Sequence, residues 1–279
     1  MRSPLFFPRS STPTATRAGR AGSLRAATAA AVLATTAALG ATAAPAEALV
    51  FAAPVIGGIA AQATAAVQLG NSTCTATLIS PEWLLTARHC VGEGNFSAIT
   101  VGNTAAGEKR FATDVIISPH ADLAVVKMNA PVAAQPARLA TFHPTTGQRG
   151  VIAGWGKSAL VAKETQGIVG SRFLATEDMV TTPGSSYLEV TTTGGRLVHG
   201  DSGGPLYMGD EVVAVASMAN TSAPAPQAGL TGWYVPVAEH LDWIHRQTGI
   251  PVAAPSNGPI PLRPVLTYTP GQFGSSFSS

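Results

Sequence analysis

The chain has 279 residues, 46% of them hydrophobic and 11% charged, which excludes a charged, disordered polypeptide and supplies apolar material for the core of one or two domains. Its formal charge of +2 is misleading, because Arg2, Arg9, Arg17, Arg20 and Arg25 all precede the first acidic residue, Glu47. Without them 12 Lys and Arg face 15 Asp and Glu, a balance of −3, and no basic stripe with interleaved aromatics remains to bind a nucleic acid.

Residues 1–46 read as an export signal: five arginines, an Ala-rich apolar run over 26–44, and small residues at Ala44-Pro45-Ala46 of the kind a signal peptidase accepts. The competing reading is a membrane anchor, since the run approaches the length of a spanning helix. Its Ala and Thr content is only weakly apolar, and Gly40 and Pro45 break its end, so a secreted protein without a membrane contact after signal removal is expected. Residues 47–54 are a short apolar stretch. Cys74 and Cys90 are the two cysteines. In an exported chain such a pair is bridged; in a reducing compartment it would be two buried thiols.

Short strand-like runs between turn residues follow at 65–69, 74–79, 83–86, 98–101, 111–117 and 123–128. A second set covers 151–153, 171–180, 187–191, 205–208, 212–217 and 233–237. Many short strands with Gly, Pro and Asn turns predict an all-β sandwich or barrel. Val237, Leu241 and Ile244 recur at helical spacing with Trp243 beside them, predicting one helix over 237–247. Residues 250–279 hold six prolines and end in Gly and Ser, the composition of a flexible tail.

Three strings carry chemistry. Gly200-Asp201-Ser202-Gly203-Gly204-Pro205 sets a serine between glycines, which let the backbone approach a ligand and expose N–H donors. Thr86-Ala87-Arg88-His89-Cys90 offers an imidazole, which can take a serine proton near neutral pH. Asp122-Leu123-Ala124-Val125-Val126 offers a carboxylate that can hold that imidazole in one tautomer. In the order His, Asp, Ser these strings resemble the TAAHC, DIAL and GDSGGP signatures of chymotrypsin/trypsin-like serine proteases, over about residues 55–249.

The resemblance implies two six-stranded antiparallel β-barrels with a C-terminal helix, the active site between the barrels and a crossover at 131–147. It implies Ser202 as nucleophile, His89 as general base and Asp122 as orienting acid, with the N–H groups of Gly200 and Ser202 as oxyanion donors. It pairs Cys74 with Cys90 in a disulfide. Val55-Ile56-Gly57-Gly58 looks like the family's mature amino terminus, which makes residues 47–54 a short pro-segment, and Val55 is expected to pair with Asp201 on activation, although Pro54 stands where trypsin-type cleavage wants Lys or Arg. Ala153-Gly154-Trp155-Gly156 resembles the turn that enters the second barrel. Ser217, Met218, Ala219 and Gly232 match the strands bordering the substrate groove. Arg196, six positions before the nucleophile, counts to the pocket floor, with Val198 where a cysteine is usual and His199 at the pocket mouth.

A polypeptide substrate, a possible protein inhibitor and a monomer are the partners this implies, with no cofactor and no metal. The six histidines are scattered and no His-Glu-x-x-His is present. Two other functions compete. Gly200 to Gly204 also fits the Gly-x-Ser-x-Gly elbow of an α/β-hydrolase, for which Asp242 and His245 would have to complete the triad. A binding protein on a protease scaffold would lose a triad residue, yet all three positions are filled.

Overall fold

The computed structural model describes residues 49–69, 72–91, 98–156, 160–175, 185–220 and 230–263. The expected signal over 1–46, the end of the run expected at 171–180 and the last part of the tail lie outside the described residues. Strands follow one another as β1 (Ala53–Pro54), β2 (Thr64–Leu69), β3 (Ser72–Ser80), β4 (Trp83–Thr86), β5 (Ala98–Val101), β6 (Glu108–Arg110), β7 (Ala112–Ile117) and β8 (Ala124–Met128). After them come β9 (Arg138–Leu139), β10 (Arg149–Gly154), β11 (Lys163–Leu174), β12 (Ser186–Thr192), β13 (Pro205–Met208), β14 (Glu211–Ala219) and β15 (Thr231–Pro236). The helices are α1 (Gly58–Ala63) and α2 (Leu241–Thr248).

The amino-terminal sheet has the order β6-β5-β2-β3-β4-β8-β7 and is a curled half-barrel. In the carboxy-terminal sheet β10, β13, β14, β15, β12 and β11 form a closed ring, because β11 pairs with both β10 and β12. The all-β architecture with a C-terminal helix is as the resemblance implies. Two strands are covered on both faces: β14 is buried from Val212 to Ala219, and Thr75, Ala76, Thr77 and Leu78 of β3 are all fully buried. β7, at the sheet's end, is mostly accessible. Bulges between Leu206 and Tyr207 and between Ala216 and Met218 bend the closing strands, as barrel corners require.

One apolar cluster spans both sheets and includes Leu85, Val125, Val215, Val235 and Trp155. A second fills the closed barrel around Ile152, Val190, Leu206, Val213 and Tyr234, and it includes Leu49. Helix α2 buries Leu241, Trp243 and Ile244, lies beside β8, and stops at Gly249, whose φ of 73° is open to glycine.

Three features depart from the strand-and-turn reading. Helix α1 occupies Gly58–Ala63, just ahead of β2. Strand β11 begins at Lys163, where Glu164, Thr165 and Gln166 hide a strand that the hydrophobic pattern does not mark. The tail expected to be flexible is bound to the body as far as residue 263. Ser256 N donates to Thr141 O at 2.7 Å, Asn257 exchanges hydrogen bonds with the backbone of His143, and Arg263 pairs with Glu189 at 2.8 Å. Prolines set the extended backbone in advance, so docking it loses less chain entropy than docking an ordinary loop. Among the described residues no helix is long and apolar enough to cross a membrane.

Candidate active site

His89 lies in a 3-10 turn, Arg88–Cys90, which follows β4 directly. Strand β4 is buried at Leu84, Leu85 and Thr86, so the turn leaves a fixed strand rather than a loose loop. Cys90 is bonded to Cys74 of β3, with the two Cα atoms 6.1 Å apart. The cross-link ties the turn to the neighbouring strand.

Asp122 sits just before β8, and β8 pairs with β4. This pairing brings the carboxylate beside the turn: His89 Nδ1 is 2.7 Å from Asp122 Oδ2, and His89 N donates to Asp122 Oδ1 at 2.9 Å. The bulge at Ala216/Met218 takes Ser217 of β14 out of the ladder, and its hydroxyl donates to Asp122 Oδ2 at 2.5 Å. Burial by itself would push the Asp122 carboxyl up. The charge on His89 and the hydrogen bonds from His89 and Ser217 outweigh it and hold the group below the ordinary carboxylate range.

Ser202 belongs to the loop ahead of β13. Its carbonyl accepts from Thr75 N at 2.8 Å, and the Thr75 carbonyl in turn accepts from Thr86 Oγ1 at 2.8 Å. Gly203 presses against the same segment: a Cβ there would lie 2.1 Å from Thr86 Oγ1 and 2.9 Å from Ala87 N, and its φ of 77° disfavours any side chain. The serine loop is thus locked onto the residues that lead into His89. Ser202 Oγ is buried and makes no hydrogen bond among the described residues.

The loop's internal bonds start from Asp201 N, to Val198 O at 3.1 Å, and from Gly204 N, to Asp201 O at 3.0 Å. Gly203 N donates to Ala216 O at 2.8 Å. The N–H groups of Gly200 and Ser202 are not among these donors. Thr75 Oγ1 donates to Gly200 O at 2.8 Å and accepts from Trp155 N at 2.9 Å, so one hydroxyl joins the serine loop, β3 and the Gly154-Trp155-Gly156 turn. The sequence does not mark Thr75, which is one of three threonines in β3.

Asp201 is fully buried, and its carboxylate accepts from Gly156 N at 3.0 Å, Val198 N at 2.8 Å and Leu49 N at 3.2 Å. Burial pushes its carboxyl up to about 7 against the pull of those donors and of Lys163. A Cβ on Gly154 would come within 2.2 Å of Asp201 Oδ1, which accounts for the glycine there. In the uncleaved chain Val55, expected to pair with Asp201 on activation, donates its N–H to Ala162 O at 2.9 Å, and its carbonyl accepts from Asn103 Nδ2 at 2.8 Å. The reason lies in the register of the amino-terminal segment. Val50 bridges Arg196, and Ala53 and Pro54 pair with Glu164 and Lys163, which leaves Leu49 facing the carboxylate.

The groove residues fall in two groups. Ser217, Met218, Ala219 and Gly232 are buried on adjacent strands, with Ala219 opposite Gly232. Arg196 is half-buried and its backbone is occupied by Val50, while His199 is exposed. Leu197, not anticipated, lies over Gly232, where a Cβ would meet its Cδ1 at 2.6 Å. Arg88, beside the imidazole in sequence, sends its guanidinium to Ser118 O at 3.3 Å.

A closed β-barrel beside a curled half-barrel, with a histidine–aspartate pair from one and a glycine-flanked serine from the other, defines a chymotrypsin-like architecture. The sequence profile described as "Trypsin" matches residues 55–244. A Corynebacterium glutamicum protein designated a peptidase is 34% identical over 198 residues, covering 70% of this chain and 71% of its own. Brachyurin of Leptuca pugilator is 30% identical over 204 residues, covering 63% of this chain and 88% of its own. Among solved structures, HL collagenase superposes with a TM-score of 0.57 at 22% identity, over 72% of this chain and 99% of its own. Mouse neuropsin, a serine protease, gives 0.55 at 18% identity, over 70% of this chain and 97% of its own. The chain belongs to the trypsin family of peptidases.

Proposed function

We propose that this protein is a secreted serine endopeptidase. Its main support is the 2.7 Å contact between His89 and Asp122, in a turn onto which the Ser202 loop is locked. In this reading His89 Nε2 takes the proton of Ser202 as Oγ attacks the scissile carbonyl. The tetrahedral oxyanion is met by the N–H groups of Gly200 and Ser202. His89 then gives the proton to the leaving amine, and an acyl-enzyme remains on Ser202. Water, deprotonated by His89, adds to the ester carbon; the acid product departs and the serine regains its hydrogen. Asp122 stays ionised throughout and steadies the imidazolium. The extended substrate lies along Ser217–Ala219 as an added strand. Export by the 1–46 leader places the enzyme outside the cell.

The rival α/β-hydrolase has no basis in this all-β fold. Asp242 and His245 share helix α2, and His245 Nδ1 is 2.8 Å from Ile250 O, far in sequence from the serine loop. A binding protein on the same scaffold is separated by chemistry. A fluorophosphonate should label Ser202 of the processed protein, and Ser202→Ala should abolish labelling and lower kcat by about 10⁶ with an unchanged circular dichroism spectrum. Peptidase activity retained in Ser202→Ala would falsify the assignment.

A further inference from the structure

We propose that reducing the Cys74–Cys90 bridge opens a zinc site at His89, with Cys74, Cys90 and His89 as its three protein ligands. Among the described residues these three are the one group with metal-ligand chemistry gathered at a point: a donor atom of each lies within 4.8 Å of the other two. Donors around a tetrahedral zinc stand about 3.5–3.8 Å apart, so the widest pair has to close by only about 1 Å, and the two sulfurs part to the same spacing once their bond is cut. Two thiolates and an imidazole are a donor set that favours zinc over hard, oxygen-seeking cations. Three protein ligands leave a fourth position for water. The scattered histidines of the sequence give no sign of this site, because Cys74 joins it from a neighbouring strand, 16 positions before Cys90.

Hydrogen bonds hold the donors together as well as the bridge does. Cys74 pairs with Val67 across β2 and β3, and Thr75 beside it donates to Ser202 O at 2.8 Å. Cys90 N donates to Ala87 O at 3.1 Å in the turn that leaves β4, and β4 is paired on both sides, with β3 and with β8. The chain has two cysteines, so reduction cuts no other cross-link. Both are buried, while the His89 side chain is 20% exposed and gives reductant and cation a way in. The reductant is a dithiol: its two sulfurs join in a disulfide, the Cys74–Cys90 bond breaks, and the two protons the dithiol loses pass to the freed thiols. Zinc displaces both protons, and the imidazole binds as the neutral base. Binding therefore tightens as pH rises toward the thiol range. It also stops catalysis, a consequence that rests on the serine-peptidase reading above. His89 Nδ1 is the nitrogen that Asp122 holds, and Nε2 is the one that takes the serine proton, so either one given to zinc is lost to the triad.

The test takes the exported, processed protein, reduces it with a dithiol, removes the dithiol under argon and titrates with cobalt(II) in place of zinc. The expected result is one cobalt per chain, with a near-ultraviolet thiolate band and the visible bands of a tetrahedral centre, and neither in the bridged protein. His89→Gln keeps both sulfurs and should weaken binding by more than about 100-fold, the most that losing an outer-shell partner costs. Zinc should raise the urea midpoint of the reduced protein and leave that of reduced His89→Gln almost unmoved, which separates a site in the folded state from thiols of the unfolded chain. With one equivalent of zinc, fluorophosphonate labelling of the reduced protein should fall about 100-fold, the lower end of what a general base contributes, and a chelator should restore it. Cobalt bound as tightly by His89→Gln, a midpoint that zinc does not raise, or labelling that zinc leaves unchanged overturns the proposal while the peptidase reading stands. Protein that binds cobalt as expected but never labels, even bridged and free of metal, overturns the peptidase reading and leaves the metal site standing.

Discussion

Asp122 and Asp201 are both buried carboxylates, and their surroundings drive them apart. Asp122 has an imidazole and a hydroxyl against it and stays ionised; Asp201, in the uncleaved chain, has backbone N–H groups and is pushed up to about 7. The ordinary value for Asp201 is 3.8. Between these values the unfolded chain is ionised while the folded chain holds the proton. The contribution of Asp201 to stability is therefore fully present below the lower value and is lost as pH rises through the higher one. In the uncleaved chain carrying Ser202→Ala, the Asp201 contribution, a few kcal/mol in order of magnitude, should disappear between about pH 4 and about pH 7. Urea midpoints measured against Asp201→Asn in the same background isolate the effect. A difference between the two that does not change with pH would refute it.

Among the elements, the turn carrying His89 depends on its cross-link. The bond between Cys74 and Cys90 closes a loop of about 17 residues, which is worth roughly 3 kcal/mol in the chain-entropy picture. Replacing both cysteines by alanine should lower unfolding stability by about that amount, read from denaturant midpoints, and should slow Ser202 labelling as the turn loosens. An unchanged midpoint would show that β3 and β4 hold the turn without help. Most elements were legible because their signal is local. The strand-like runs at 74–79, 83–86 and 212–217 became β3, β4 and β14, and the spacing of Leu241 and Ile244 gave α2. Those missed carry no such signal. The start of β11 is polar because its partners are supplied by backbone pairing with β10 and β1, and the tail is held by single polar contacts.

Across the whole molecule a few buried hydroxyls join the two sheets within the apolar cluster they share. Thr75 Oγ1 joins Gly200 and Trp155, and Thr64 Oγ1 lies 3.2 Å from Tyr207 Oη. Thr75→Val keeps the shape of the side chain but strands a buried carbonyl and a buried N–H, each costing about 1–3 kcal/mol. The variant should be destabilised by a few kcal/mol and should lose kcat more than it changes KM, because the loop that holds Ser202 is no longer fixed. Steady-state kinetics beside thermal unfolding would check both effects. Destabilisation with unaltered kcat would show that Gly203 alone sets the loop.

The amino-acid sequence by itself determined the chemical groups and their family: a serine among glycines, an imidazole beside a cysteine, and an aspartate ahead of an apolar strand. Each is a short string whose meaning survives without its surroundings. Only the tertiary structure decided that Leu49 faces Asp201 in the uncleaved chain, a contact spanning 152 positions. It also decided that Thr75 clamps the serine loop and that Leu197 covers Gly232. These depend on strand register and on barrel closure, which place distant residues within a few ångströms and leave no periodic trace along the chain.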